Sequence, residues 1–146
     1  DDAFDPRVAT VASTNAHLFV YTRVRASTGF SDVVGRVLDV LTNATTAEFV
    51  IDAGSATRRP SAPDVGGQFS ASGSQFCVVW SRLYIGQNAD VQRALISSTG
   101  VINSIAALEI TFDRTETMIE ISESAGHSTI VNRWSVAYRS ADVSTS

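Results

Sequence analysis

Two tripeptides in this 146-residue chain set an aromatic ring and a guanidinium two residues apart: Tyr21-Thr22-Arg23 and Trp80-Ser81-Arg82. Side chains alternate between faces along an extended strand, so each ring shares a face with its arginine. Tyr138 with the adjoining Arg139 is a third and imperfect instance. Ring faces beside planar guanidinium donors can hold a sugar or a carboxylate. That chemistry makes Tyr21, Arg23, Trp80, Arg82, Tyr138 and Arg139 candidate ligand-binding residues. The same residues can instead pack between layers, with the arginines carrying their charge out to an edge. A large ring that returns with each copy of a phrase marks a packing position, and this reading is the stronger one.

The acids at matched places are Asp32, Asp90 and Asp142, each following a polar break. Carboxylates can bind a hard cation, but no segment gathers several acids at alternating positions as a calcium loop does. An Asp that accepts backbone amides at a turn accounts for them without a metal. Catalytic sets are sparse. His17 and His127 are the only histidines and fall in no metal-ligand spacing. No G-x-S-x-G elbow is present, and "SASGSQF" lacks the Gly-Lys-Ser ending of a phosphate loop. Glu109, Asp113, Glu116, Glu120 and Glu123 could supply a glycosidase pair, yet Glu120 and Glu123 differ in strand parity. No catalytic residue, metal ligand or cofactor is assigned, and the missing motifs argue against an enzyme.

Composition narrows the class. Hydrophobic residues make up 44% and charged residues 18%, the balance of a folded domain with a sizeable core. The net charge of −4 speaks against non-specific nucleic-acid binding, and every basic residue is arginine. Cys77 is the single cysteine, so no intrachain disulfide can form, and its apolar setting in "QFCVVW" predicts an inert thiol. No apolar run reaches the length of a membrane-spanning helix. The opening "DDAFDPRV" has no Met, which suggests a processed, excised or partial product. "NAT" at 43–45 is a formal glycosylation sequon in an expected loop.

The elements that would position these residues are strands. "HLFVYTRV" and "SDVVGRVLDV" are dense in Val and aromatics and are separated by "RASTGF". Residues 53–63, "AGSATRRPSAP", read as a loop ended by Pro60 and Pro63. The order of phrases then repeats with a shift of about 57–60 residues, a period expected for propeller blades. "DPRV" returns as "APDV", "FVYTR" as "VVWSR", "SDVVGRVLD" as "ADVQRALIS" and "AEFVID" as "ALEITF". Strands are expected at 8–12, 17–24, 31–40 and 47–52, then at 65–70, 75–82, 89–97 and 101–111. A partial third set covers 119–123 and 129–139. Residues 1–146 thus form one all-β region with repeat units at about 5–59, 60–116 and 117–146.

"DPRVA", "LFVYTR", "DVVGRVL" and "FVIDA", with "APDVG", "FCVVWSR" and "DVQRALI", resemble the recurring phrase of bacterial secreted β-propeller repeat proteins. The resemblance spans most of the chain and implies four-stranded antiparallel blade-type repeats, a β-propeller or a fragment of one. The third unit departs from it, since Arg139 follows Tyr138 directly and Asp142 comes early. A β-sandwich is the alternative fold. The expected function is a non-enzymatic extracellular or cell-envelope structural or binding module, secreted and without membrane insertion. Its expected partners are copies of itself or further blades of a larger propeller, met through open ends. The alternatives are a lectin-like propeller binding glycans, a sandwich-type assembly or shell subunit, and a fragment of a glycosidase-like propeller.

Overall fold

Runs of Val, Ile and aromatics broken by Gly, Ser and Asn build eleven strands and, among the described residues, no helix. The computed structural model describes residues 1–68, 72–86, 88–108, 114–123 and 134–142. The strands are β1 (Asp2–Val11), β2 (Ala16–Val24), β3 (Ser31–Asp39), β4 (Ala44–Thr45), β5 (Phe49–Asp52), β6 (Arg58–Gly67), β7 (Gln75–Tyr84), β8 (Ala89–Ser97), β9 (Ile102–Ala107), β10 (Arg114–Glu123) and β11 (Trp134–Asp142). The chain is all-β and its sheets are antiparallel. β1, β2 and β3 pair in order, with β4 and β5 both on the far edge of β3. β6, β7, β8 and β9 follow as a four-stranded sheet, and β10 pairs with β11. A single parallel pair, Thr115 with Ala89, joins β10 to β8. Apart from β5 on β3 and the single β10–β8 pair, neighbours in each sheet are consecutive in the chain, and among the described residues the sheets do not close a ring.

The three sheets stack. β6 packs against β1, β2 and β3 on one side and against β10 on the other. Alternation along β2 buries Ala16, Leu18, Val20 and Thr22 and leaves Phe19 exposed and His17, Tyr21 and Arg23 part-buried. Ala16, Leu18 and Val20 join Phe76, Val78 and Trp80 of β7 in one core between the first two sheets. The intervening residues of β7, Cys77 and Val79, join Ile119 in a second core, on which Trp134 and Val136 pack. A strand covered on both faces has no need of polar alternation, which is why "FCVVW" is continuously apolar whereas "LFVYTR" turns polar.

The strand bounds correct several sequence expectations, among them the start of β10 at Arg114 instead of residue 119. Residues 58–63 are strand, not loop, and the first strand begins at Asp2 instead of residue 8. The prolines misled because they cannot donate to a sheet ladder. Among the described residues, β1 and β6 each pair on one side only, and an edge strand tolerates proline, above all at a bulge. Three matched bulges lie between Phe4 and Arg7, between Ser61 and Asp64, and between Thr117 and Glu120, offsets of 57 and 56 residues. Asp5 and Ala62 take left-handed φ values of 54° and 49° ahead of Pro6 and Pro63. The loop expected around "NAT" at 43–45 is also partly strand, as β4, and Asn43 turns into it with φ 56°. Positions 69–70, 109–111 and 129–133 of the expected strands lie outside the described residues.

Glycine sets the closeness of the stack. A Cβ on Gly67 would stand 1.9 Å from the Thr10 carbonyl oxygen, so β6 and β1 approach backbone to backbone there. A Cβ on Gly66 would come within 2.9 Å of the Trp134 ring, which lies across β6 at that point.

Candidate functional site

Register places the three aromatics at one repeated position. Thr22, Ser81 and Arg139 each pair with the last residue before the bulge of their sheet, namely Phe4, Ser61 and Thr117. Tyr21, Trp80 and Tyr138 each precede that residue. Two positions on from the ring stand Arg23, Arg82 and Ser140, so Arg139 sits at the Thr22 position with the opposite parity. The aromatic recurrence read from the sequence is therefore one of register, while the arginine recurs only in the first two sheets.

Their surroundings differ. Trp80 exposes 0% of its surface and lies in the core between the first and second sheets. Its indole Nε1 donates to Asp52 Oδ2 at 2.8 Å, and Arg82 Nε donates to the same oxygen at 2.7 Å. Asp52 ends β5, so one carboxylate of the first sheet receives both groups of the second. Burial works against the Arg82 charge, but the hydrogen bond and field of Asp52, aided by Tyr84, outweigh it and leave the pKa raised. Trp80 is thus occupied by packing and presents no face to a ligand, while Tyr138 stays 40% exposed and Arg139 is exposed.

Tyr21 and Arg23 stand at the corresponding positions of the first sheet, on its outer face. Both bond a carboxylate of their own sheet: the Tyr21 hydroxyl and Arg23 Nη1 donate to the two oxygens of Glu48. Arg23 Nη2 also donates to Asp32 at 2.6 Å, and Arg25 Nε lies 3.2 Å from the same oxygen. The hydrogen bond to Asp32 is the main cause raising the Arg23 pKa. Burial first, then the bond and charge of Glu48, raise that of Tyr21. Asp32 accepts a backbone amide as a turn aspartate would, though from Gly54, far along the chain, at 2.9 Å. Asp90, its counterpart in register, is buried and accepts from Asn88 Nδ2 at 2.8 Å. The side chain of Asp142 lies outside the described residues.

The sequence reading missed Glu48 and Asp52. The available signal was an acid at each end of the apolar strand "FVI", on a sheet whose neighbours carry arginine. His127, Glu109 and Asp113 lie outside the described residues, as do the side chains of Glu116 and Glu123. Among the described residues, no three His, Cys, Asp or Glu side chains gather where a metal could be held.

Two cavities accompany the stack. The three bulges line one of about 210 Å³ with Asp5, Arg7, Ala62, Pro63, Ile119 and Glu120. Across it Arg7 Nε faces Asp64 Oδ1 at 3.7 Å, and Asp64 Oδ2 accepts the Ile121 amide at 2.9 Å. One aspartate of the middle sheet thereby links to both neighbours. The second cavity, of about 430 Å³, opens between the second and third sheets beside Cys77, Leu95, Leu108, Trp134 and Val136. Comparison with protein-family models, with curated proteins and with solved structures finds no match to this chain.

Proposed function

We propose that this chain is a non-enzymatic structural or binding module of the cell exterior or envelope. Its stacked sheets act as propeller-like blades, and it associates with further blades or with copies of itself through the outward faces of its stack. The observation that carries this reading is an inequality between matched positions. Val78, on the face by which the second sheet meets the first, is 0% exposed, while Phe19 at the same register of the first sheet is 39% exposed. Val8 pairs directly with Phe19 and is 54% exposed. A face that is a joint in one sheet is open and still apolar in the next, and open apolar faces mark association surfaces. Pairing of consecutive strands also favours blade-like meanders over the crossed connections of a sandwich. The exterior location rests on the resemblance to secreted repeats.

Native mass spectrometry tests the proposal. The expected result is a defined assembly of the 15.6 kDa chain with itself or with other blade-bearing chains, weakened by Phe19→Asp. A strictly monomeric chain at every concentration, alone and with its native co-purifying proteins, would remove it.

A further inference from the structure

Two of the matched bulges share a backbone shape and differ in one side chain. Asp5 and Ala62 take left-handed φ values of 54° and 49°, and a proline follows each. A side chain resists that conformation, and the ring of a following proline crowds the backbone further. Alanine draws no hydrogen bond from its own side chain there, so the bulge of the edge strand imposes the shape. Asp5 adds a carboxylate to it. That group is exposed and, among the described residues, has no hydrogen-bond or ion-pair partner. The bulge is held from the far side of the bond: Arg7 Nη1 donates to the Pro6 carbonyl at 3.2 Å, and Arg7 Nε faces Asp64 Oδ1 at 3.7 Å. Pro6 N is the nitrogen of a tertiary amide and takes no part in a sheet ladder. Asp5–Pro6 is the only Asp-Pro pair in the chain. Glu120 is the other carboxyl lining the 210 Å³ cavity with Asp5.

We propose that the folded chain cuts itself between Asp5 and Pro6 in mild acid, with the Asp5 carboxylate as nucleophile. One Oδ bonds to the backbone carbonyl carbon of Asp5 and closes a five-membered cyclic anhydride. The bond from that carbon to Pro6 N breaks, and its electron pair passes to the nitrogen. The nitrogen takes a proton from solvent or from Glu120 on the same cavity. Water then opens the anhydride. The net reaction is hydrolysis of one peptide bond: one water is consumed, Asp5 gains an α-carboxyl group and Pro6 a free secondary amine. Breaking the bond releases the left-handed strain, so the fold lowers the barrier to this step. The cut frees the first half of β1. Asp2, Ala3 and Phe4 pair with Val24, Arg23 and Thr22, and Asp1 Oδ1 accepts the Ala26 amide at 2.8 Å. Departure of residues 1–5 bares that edge of β2. The inference does not depend on the blade reading.

The test incubates the whole chain at about pH 4, where carboxyl groups exist in both forms, or at the lowest pH above it at which circular dichroism shows the fold. Mass spectrometry under denaturing conditions follows the products. The expected pieces are residues 1–5 and 6–146, formed about tenfold faster than from the chain held unfolded in urea at the same pH. Asp5→Asn keeps the size of the side chain and its tolerance of a left-handed φ but removes the carboxylate. Its cleavage should fall to background. Ala62→Asp places a carboxylate at the matched bulge, on an exposed position, and should create a second cut between positions 62 and 63. Both changes are at exposed positions, so both variants should keep the unfolding midpoint of the parent. A folded parent cut no faster than the unfolded chain overturns the proposal. Undiminished cleavage of Asp5→Asn, or an Ala62→Asp chain left whole at its second bulge, overturns it equally.

Discussion

Asp52 Oδ2 stands 2.8 Å from Trp80 Nε1, so a carboxylate from the end of one sheet accepts the indole proton of the next. Arg82 closes the same oxygen from the other side at 2.7 Å, and the Asp52 side chain is 4% exposed. Removing one partner of a buried charged pair leaves the other unmatched, at a cost of about 3–5 kcal/mol. Asp52→Ala is therefore expected to lose that much stability in urea unfolding. Asp52→Asn should lose less, because an amide oxygen still accepts from the indole. An alanine variant within about 0.5 kcal/mol of the parent, the range of an ordinary surface change, would show that the joint does not depend on this contact.

The strands that carry the rings were the legible part of the fold. β2, β3, β7 and β8 begin within one residue of where their apolar runs and flanking breakers place them, since a buried strand must alternate or be apolar throughout. β1 and β6 were legible only in their second halves. Their first halves hold Pro6, Pro60 and charged residues because they are paired on one side alone, and only topology reveals an edge. The site was read in part for a similar reason. The ring positions show in the sequence as a repeat, but the carboxylate each ring meets changes from the preceding sheet's Asp52 to the same sheet's Glu48. No local pattern distinguishes those two arrangements.

Gly67 provides a test of how tightly β6 is held to β1. A methyl group there would overlap the Thr10 carbonyl, and backbone cannot rotate away as a side chain can. Overpacking of this kind costs about 3 kcal/mol. Gly67→Ala should therefore lower the unfolding midpoint clearly, and hydrogen exchange should quicken at the Ala12 amide, which donates to Gln68 O at 3.3 Å next to the contact. Unchanged exchange at that amide would mean the two strands separate without consequence.

Cys77 should be silent towards thiol reagents in the folded chain. Burial pushes its pKa up to about 12, against a weaker opposing effect of Arg93, so almost no thiolate exists near neutral pH. Labelling by an alkylating reagent at pH 8 is expected to follow global unfolding, accelerating with urea in step with loss of structure. The raised value also has a sign for stability. The contribution is whole below the unfolded value of 9.0 and is lost as pH rises towards the folded value of about 12. Across that window the parent should lose stability faster than Cys77→Ala, by up to about 1.4 kcal/mol per pH unit. Parallel pH profiles for the two proteins, or rapid labelling in native buffer, would contradict a sealed thiol.

Glu48 is the residue by which the outer face of the first sheet meets the needs of its own ring and arginine. Burial is the largest cause of the raised Tyr21 pKa, and the bond and charge of Glu48 add to it, while Arg36 opposes it. Glu48→Gln removes the charge and leaves the burial. The Tyr21 phenol should then ionise at a lower pH than in the parent, as ultraviolet absorbance would follow, with Tyr21→Phe identifying the signal. Arg23 keeps Asp32 in the variant, and the Glu48 pair is partly exposed, so the stability change should stay within about 1 kcal/mol. The exposed apolar residues beside this cluster make the variant informative about association as well. If a neighbouring sheet brings an acid to Tyr21 and Arg23, as the first sheet brings Asp52 to Trp80 and Arg82, Glu48→Gln should leave assembly intact or strengthen it. Loss of assembly in this variant would instead make Glu48 itself part of the contact.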